Sequence, residues 1–211
     1  MEAMPSAASE ACSAADQADL LRVALASIES GLETGTPLQV KPDNCTHALS
    51  NRGASFVTLK RDGELRGCIG SLAPVNSLLA DVANNAFAAA FRDPRFPALT
   101  AEELQDMEIG ISVLGPTTPV NFESEAELLG LMRPGIDGLV LREGNHRGTF
   151  LPAVWESLPK PADFLDHLKQ KAGLPVDYWS DTLEIERYTT QSFASSVAGI
   201  RQSSTQPVNA G

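Results

Sequence analysis

Apolar residues in the N-terminal half of the chain recur with the spacing of an α-helix in two places. The first set is Leu21, Leu25, Ile28 and Leu32, and residues spaced in this way form one buried face of a helix. Asp19 can cap this helix, so we expect it to cover residues 20–31. The second set predicts a helix that Asn76 or Ser77 caps, with buried positions at Leu79, Val82, Ala83, Ala86, Phe87 and Ala90.

Between these two helices the pattern favours a β-hairpin. The strand-like run at residues 56–60 leads to Asp62 and Gly63, a pair that suits a type I′ turn because both central residues need a positive φ. Residues 65–69 then form the return strand. Side chains alternate between the two faces of a strand. We therefore expect Leu65, Gly67 and Ile69 on one face, and Arg66 and Cys68 on the other.

The C-terminal half combines short strand-like runs with helical segments. Alternation at residues 109–113 predicts a strand, and the runs at 139–141 and 149–151 predict a second hairpin. Capping-box spacing starts short helices after Thr100 and Ser124, residues 164–172 have an amphipathic helical pattern, and residues 183–188 predict a final strand. Because no regular βαβ alternation occurs, the pattern predicts an α+β fold with mainly antiparallel sheets flanked by helices.

Length and composition define the expected domain. The 211 residues, 43% hydrophobic and 20% charged, suit one soluble globular domain or a domain with a lobe. Residues 1–16 are rich in alanine and serine, and residues 194–211 in serine, glutamine and glycine. We therefore expect a disordered N-terminal tail and a flexible C-terminal tail around a folded region at 17–193. Residues 115–119 form a connector and a candidate lobe boundary.

Charge and cysteine content narrow the function classes. A formal charge of −11 argues against general nucleic-acid binding and against an anionic membrane surface. No run is long enough to span a membrane, and residues 1–15 lack the features of a secretory signal. Scattered cysteines at positions 12, 45 and 68 fit a reduced, cytoplasmic protein. We predict no metal or cofactor site, because no nucleotide-binding glycine pattern occurs and the histidines, His47, His146 and His167, lie far apart.

The predicted return strand carries the first candidate for chemistry. Arg66 and Cys68 are expected on one strand face, and a nearby cation favours the thiolate form of a cysteine. Gly67 and Gly70 add little to a strand, so they indicate a close approach of a backbone segment or a β-bulge, and they would also let a substrate come close. The alternative is structural: Cys68 is then a small packed residue, as free cysteines usually are, and the glycines only permit packing.

A second candidate is the loop that follows the second predicted helix. Pro94 and the proline at position 97 restrict its backbone, and it carries Arg92, Asp93 and Arg95. An arginine can grip a carboxylate or a phosphate in a bidentate fork, which makes this loop a candidate anion-binding corner. The alternative is an arginine–aspartate pair that only braces the loop.

Three separated segments carry a resemblance to a known family. They read Leu-Arg-Gly-Cys-Ile-Gly-Ser-Leu at residues 65–72, Ala-Phe-Arg-Asp-Pro-Arg-Phe at 90–96 and Gly-Thr-Phe-Leu-Pro-Ala-Val-Trp at 148–155. Residues 164–168 and 171–174 add supporting matches. In these segments the chain resembles the AMMECR family, whose bacterial members are called AmmeMemoRadiSam system protein A. The resemblance covers about residues 17–193.

The resemblance implies an α+β fold of two unequal lobes around a cleft, with the segment at 66–70 at or near that cleft. Carried over, the candidate ligand-binding residues are Arg66, Gly67, Cys68, Ile69, Gly70, Arg92, Asp93 and Arg95. The family has no settled activity. Its bacterial members are grouped with a Memo-type protein and a radical S-adenosylmethionine protein, so these are the expected partners. Ala153 stands where the family pattern has glutamine. If that glutamine contacts a ligand in the family, this protein contacts the ligand differently, and we expect the effect to be mild.

Two functions and a structural hypothesis stay open. In the first, the protein is an enzyme in which Cys68 is a nucleophile and Arg66 promotes its thiolate form. This hypothesis needs a base, and a histidine would have to fold toward Cys68. In the second, the protein is a non-catalytic accessory module, and Arg66, Arg92 and Arg95 bind a small anionic metabolite or an acidic segment of a partner. In the third, these motifs only fix a difficult backbone path.

Overall fold

The computed structural model describes residues 11–41 and 45–203. Its elements in chain order are α1 (Ala14–Thr34), α2 (His47–Ser50), β1 (Ser55–Arg61), β2 (Glu64–Gly70), α3 (Leu78–Phe91), α4 (Ala101–Leu104), β3 (Met107–Leu114), β4 (Thr118–Pro119), α5 (Glu125–Leu131), β5 (Gly138–Glu143), β6 (His146–Phe150), α6 (Pro161–Lys171), β7 (Glu184–Tyr188), β8 (Thr190–Ser196) and α7 (Val197–Ser203). A 3-10 helix, Pro152–Glu156, lies between β6 and α6.

The chain divides into two units. The first comprises Met1–Leu114 and Gln191–Gly211, and the second comprises Gly115–Thr190. The boundary lies at Gly115, the first residue of the predicted connector. Each unit has its own four-stranded sheet, with strand order β2-β1-β3-β8 in the first and β4-β7-β5-β6 in the second. The strand pairs are antiparallel and helices accompany both sheets. The α+β prediction is therefore confirmed.

Helix α1 begins earlier than the apolar stripe indicates. Ser13 is its N-cap, and Ser13 and Asp16 form a reciprocal capping box. Asp19 lies inside the helix, where it pairs with Arg22, so the prediction that Asp19 caps the helix is wrong. The prediction of a disordered N-terminal tail is also wrong for residues 14–16, which belong to α1. Residues 1–10 of that predicted tail lie outside the described residues.

The first hairpin confirms the turn prediction and corrects the face prediction. Asp62 and Gly63 have φ values of 52° and 82°, as a type I′ turn requires. However, Leu59 pairs with Gly67 while Lys60 pairs with Leu65, so the strand register shifts by one residue at a β-bulge. The bulge places Leu65 opposite the exposed Lys60, and Leu65 is 41% exposed. Leu65 therefore does not share the buried face with Gly67.

The core of the first unit lies between its sheet and the helices α1 and α3. Val57, Leu59, Ile109 and Ile111 alternate along β1 and β3 and are fully or almost fully buried. Where β2 meets α3 the two backbones come very close: a Cβ atom on Gly67 would lie 2.2 Å from the carbonyl oxygen of Ala89. Only glycine fits at this contact.

A buried polar network ties β1, the end of β2 and α3 together. The carboxylate of Asp81 accepts hydrogen bonds from Ser55 Oγ at 2.7 Å, Ser71 Oγ at 2.6 Å and Asn85 Nδ2 at 2.9 Å. Burial raises the pKa of Asp81 above its usual range, and these hydrogen bonds oppose that shift. The network fixes the position of Ser71, the residue after β2.

The second unit packs α6 and the 3-10 helix around its sheet. Trp155 stacks on Phe164 with 3.9 Å between ring centroids, and its indole nitrogen donates to the carbonyl of Asp137 at 2.7 Å. Lys169 is fully buried; its ammonium group donates to Glu125 at 2.8 Å and to the Val176 carbonyl at 3.0 Å. The predicted second hairpin is confirmed as β5 and β6.

The prediction of a flexible C-terminal tail is wrong for residues 194–203. Strand β8 continues to Ser196, and α7 follows with Val197 and Ile200 buried in the first core. Arg201 of α7 pairs with Glu29 of α1 at 2.8 Å. The remainder of the predicted tail, 204–211, lies outside the described residues. Within the described ranges, no helix has both the length and the apolar character to cross a membrane.

The contact at Gly67 gives a stability prediction. We expect Gly67→Ala to lower the free energy of unfolding by about 1–3 kcal/mol, because the added methyl group meets a backbone oxygen that cannot rotate away. Gly110→Ala on β3 is the matched control, since its Cβ would have ordinary contacts no closer than 3.7 Å. Urea denaturation of both variants measures the difference. Equal stabilities of the two variants would contradict the close-contact account.

Candidate functional site

The two candidate segments meet at the edge of the first sheet. Strand β2 is the edge strand, and the loop after α3 covers it at Cys68. The backbone N–H of Cys68 donates to Asp93 Oδ2 at 2.9 Å, and the carbonyl of Cys68 accepts from Arg95 Nη2 at 3.3 Å. Both polar groups of this edge residue are thus satisfied by the loop, which blocks further strand pairing at this point.

Asp93 and Arg95 form a bidentate pair inside the loop. Arg95 Nε donates to Oδ1 of Asp93 at 2.9 Å, and Nη2 donates to Oδ2 at 2.6 Å. These hydrogen bonds hold the pKa of Asp93 well below its usual range. Asp93 is buried, whereas the Arg95 side chain is 53% exposed. The pair therefore braces the loop, and part of the Arg95 guanidinium still faces solvent.

Arg66 is engaged by a different carboxylate. Its Nε and Nη2 donate to Glu103 at 2.9 and 3.1 Å, and Nη2 also donates to the Pro97 carbonyl at 3.0 Å. Arg66 is only 9% exposed. Hydrogen bonding to Arg66 lowers the pKa of Glu103 from 4.5 to about 2. The capping box locates Glu103 on α4, but the sequence gives no sign of its second contact, with Arg66.

The Cys68 thiol lies beside a hydroxyl group, and the backbone carbonyl of the same residue accepts the hydrogen bond from Arg95. Its Sγ lies 3.2 Å from Oγ1 of Thr58, the residue opposite on β1, and the side chain is partly exposed. The three histidines have other contacts: His47 with Asn51, His146 with the Ala172 carbonyl, and His167 with the Asp163 carbonyl. In the part of the chain that the structure describes, no histidine has a recorded contact with the Cys68 thiol.

Arg92 differs from the other two arginines of the motifs. It is the C-cap of α3, it is exposed, and its guanidinium carbon lies 4.9 Å from the centroid of the Phe87 ring. No carboxylate pairs with Arg92 within residues 11–41 and 45–203. An exposed guanidinium over an aromatic ring keeps its hydrogen-bond donors available to a ligand.

The remaining motif residues have packing contacts. Ile69 packs partly buried against the first core. Gly70 lies under the Phe56 ring, where a Cβ atom would be 2.3 Å from a ring carbon. Ala153 is exposed on the 3-10 helix of the second unit. Across the described ranges, no group of three or more histidine, cysteine or acidic side chains is placed to hold a metal ion.

Comparison with known proteins gives the family. The sequence model of the AMMECR1 family matches residues 21–193. The chain belongs to the AMMECR1 family. Relatives include a protein of Methanothermobacter thermautotrophicus, 37% identical over 82% of this chain and 91% of that protein, and protein MK0488 of Methanopyrus kandleri, 36% identical over 82% and 86%.

A solved structure is also similar to this chain. The crystal structure of the uncharacterized protein PH0010 from Pyrococcus horikoshii matches with a TM-score of 0.76 at 31% identity, over 83% of this chain and 89% of that one. The predicted family and the α+β fold class are thereby confirmed.

The Arg66–Glu103 pair predicts a pH-dependent contribution to stability. Because the pKa of Glu103 is about 2 in the folded protein and 4.5 ordinarily, the pair stabilises the fold above pH 4.5 and this contribution is lost as the pH falls toward 2. We expect Glu103→Gln to reduce the free energy of unfolding by about 1–2 kcal/mol at neutral pH.

The difference between wild type and Glu103→Gln should shrink as the pH is lowered through that window. Urea denaturation at several pH values measures it. Glu102→Gln, which alters the exposed neighbour on α4, is the matched control and should follow the wild type. A Glu103→Gln deficit that is the same at low and neutral pH would contradict an ionic contribution.

Proposed function

We propose that this AMMECR1-family protein is a non-catalytic binding module that holds an anionic group at the Arg92–Arg95 loop. The observation that carries this proposal is the state of Arg92: it is exposed, and no carboxylate pairs with it within the described residues. Arg95 adds a second guanidinium that is half exposed and held in one orientation by Asp93. Arginine forks of this kind suit carboxylate and phosphate groups.

The three arginines differ in burial and in contacts, and this difference supports binding at the loop. Arg66 is buried and its Nε and Nη2 are used by Glu103 and Pro97, so we propose that it holds α4 and the loop against β2 and acts on the ligand indirectly. Gly67, Ile69 and Gly70 support the same strand through close packing. The ligand would then contact Arg92 and Arg95 first.

The same surface is where we propose that the expected partners bind. The family resemblance implies a Memo-type protein and a radical S-adenosylmethionine protein, and we propose that an acidic segment of such a partner, or a small anionic metabolite, occupies the loop. The overall charge of −11 makes a local basic site selective, because an acidic ligand is repelled elsewhere on the surface.

An enzyme that uses Cys68 is the second candidate. Cys68 is partly exposed, and Asp93 and Arg95 hold its backbone N–H and carbonyl. A cytoplasmic location, which we also propose, would keep the thiol reduced. Against this role, a nucleophilic cysteine needs a base, and the described histidines have their recorded contacts elsewhere.

Binding of inorganic phosphate and citrate, measured by isothermal titration calorimetry, tests the proposal. We expect Arg92→Gln to weaken binding about three- to tenfold without loss of stability, because it removes an exposed charge that lies outside any ion pair in the described chain. Arg22→Gln, an exposed arginine on α1, is the matched control and should bind like the wild type.

Cys68→Ser separates the two candidate functions in the same assay. A binding module keeps its affinity for both anions when the thiol becomes a hydroxyl. The proposal is wrong if Arg92→Gln binds as tightly as the wild type. Selective, pH-dependent alkylation of Cys68 in a Cys12→Ser/Cys45→Ser background, with loss of turnover in Cys68→Ser, would instead favour the enzyme.

A further inference from the structure

A cavity of about 650 Å³ lies within the second unit. It forms where the segment after β4 separates from β7. The hydrogen bond from Val120 N to the Ile185 carbonyl, at 2.8 Å, is the neighbouring backbone contact between these two segments. Beyond it, residues 121–123 line one part of the cavity, and residues 179–181 with 183–184 line the other. Cavities of this volume hold small ligands or a few side chains of a partner.

Two aromatic rings form the apolar part of the cavity. Phe122 and Trp179 lie with their centroids 5.6 Å apart and their planes at 58°. The loop that carries Trp179 is anchored, because Tyr178 Oη and Thr182 Oγ1 both donate to Glu143 Oε1, at 3.0 and 2.7 Å. The aromatic wall is therefore fixed before any ligand arrives, which reduces the entropy that binding has to overcome.

All of the charged side chains that line the cavity are acidic. Four carboxylates line it, from Glu123, Asp181, Glu184 and Glu186, and no lysine or arginine is among the lining residues. Glu186 pairs with Arg142 at 2.9 Å. The other three are exposed, and within the described part of the chain no cation pairs with them. The cavity therefore combines aromatic rings with three carboxylates that lie outside any ion pair of the described chain. A cation already lies near one ring, because the Lys169 ammonium is 6.0 Å from the Trp179 ring centroid.

We propose that this cavity binds an arginine-containing basic segment of a partner protein. A guanidinium group can stack on Trp179 or Phe122 and donate to a carboxylate in the same plane. The unpaired carboxylates lie on both walls, Glu123 on one and Asp181 and Glu184 on the other. This arrangement calls for more than one positive charge, which a segment with two arginines supplies and a small monocation does not.

The test is a titration of the full chain with an N-acetylated, C-amidated Gly-Arg-Arg-Gly peptide. Tryptophan fluorescence is the signal that is measured during the titration. Trp179 lies in the cavity, whereas Trp155 is only 4% exposed in the second core and gives a constant background. We expect a saturable change in the Trp179 signal. The same peptide with citrulline in place of arginine keeps the shape without the charge, and we expect it to bind at least about tenfold more weakly.

Variants locate the binding. We expect Asp181→Asn/Glu184→Gln to weaken binding of the arginine peptide about three- to tenfold, while Glu156→Gln, an exposed carboxylate of the same unit outside the cavity, binds like the wild type. Both altered positions are exposed, so stability should be unchanged. Equal binding of the citrulline peptide, unchanged affinity in the double variant, or tighter binding of free agmatine than of the peptide would each overturn the proposal.

Discussion

The site depends on one buried carboxylate, that of Asp93. Its two oxygens accept four hydrogen bonds, from the Cys68 N–H and from the backbone and side chain of Arg95. A buried carboxylate without such donors would be costly, and an uncovered edge strand would be open to pairing. Asp93 therefore both satisfies its own buried carboxylate and covers the edge strand. Its contact with Cys68 holds together two segments that are 25 residues apart in sequence.

This constraint divides the arginines by role. Arg95 is committed to Asp93 and Arg66 to Glu103, so the predicted effect of Arg66 on the Cys68 thiol has little support in the geometry. Arg92 follows α3 without a carboxylate partner in the described chain and remains available for a ligand. The charged side chains that line the cavity of the second unit are acidic, so that cavity has the opposite charge.

Several local features were predictable from the sequence, although the capping box of Ser13 and Asp16 was missed. Features that depend on distant contacts were not predictable. The turn at Asp62 and Gly63 is specified by its own backbone preferences. In contrast, the glycines of β2 indicate a bulge or a close backbone contact, but no local pattern reveals that the Arg66 guanidinium reaches α4 and the loop. Helix α7 was missed because its composition is that of a tail and only burial of Val197 and Ile200 in the first core identifies it. The motif residues were found, but their partners required the fold.

Amide hydrogen exchange at Cys68 is the most direct test that Asp93 organises the site. The account predicts that Asp93→Ala increases exchange of the Cys68 amide by about tenfold or more, while amides in the middle of β1 keep their protection. Asp106→Ala, which alters an exposed carboxylate of the same unit, should leave Cys68 unchanged. Wild-type protection of the Cys68 amide in Asp93→Ala would contradict the central claim.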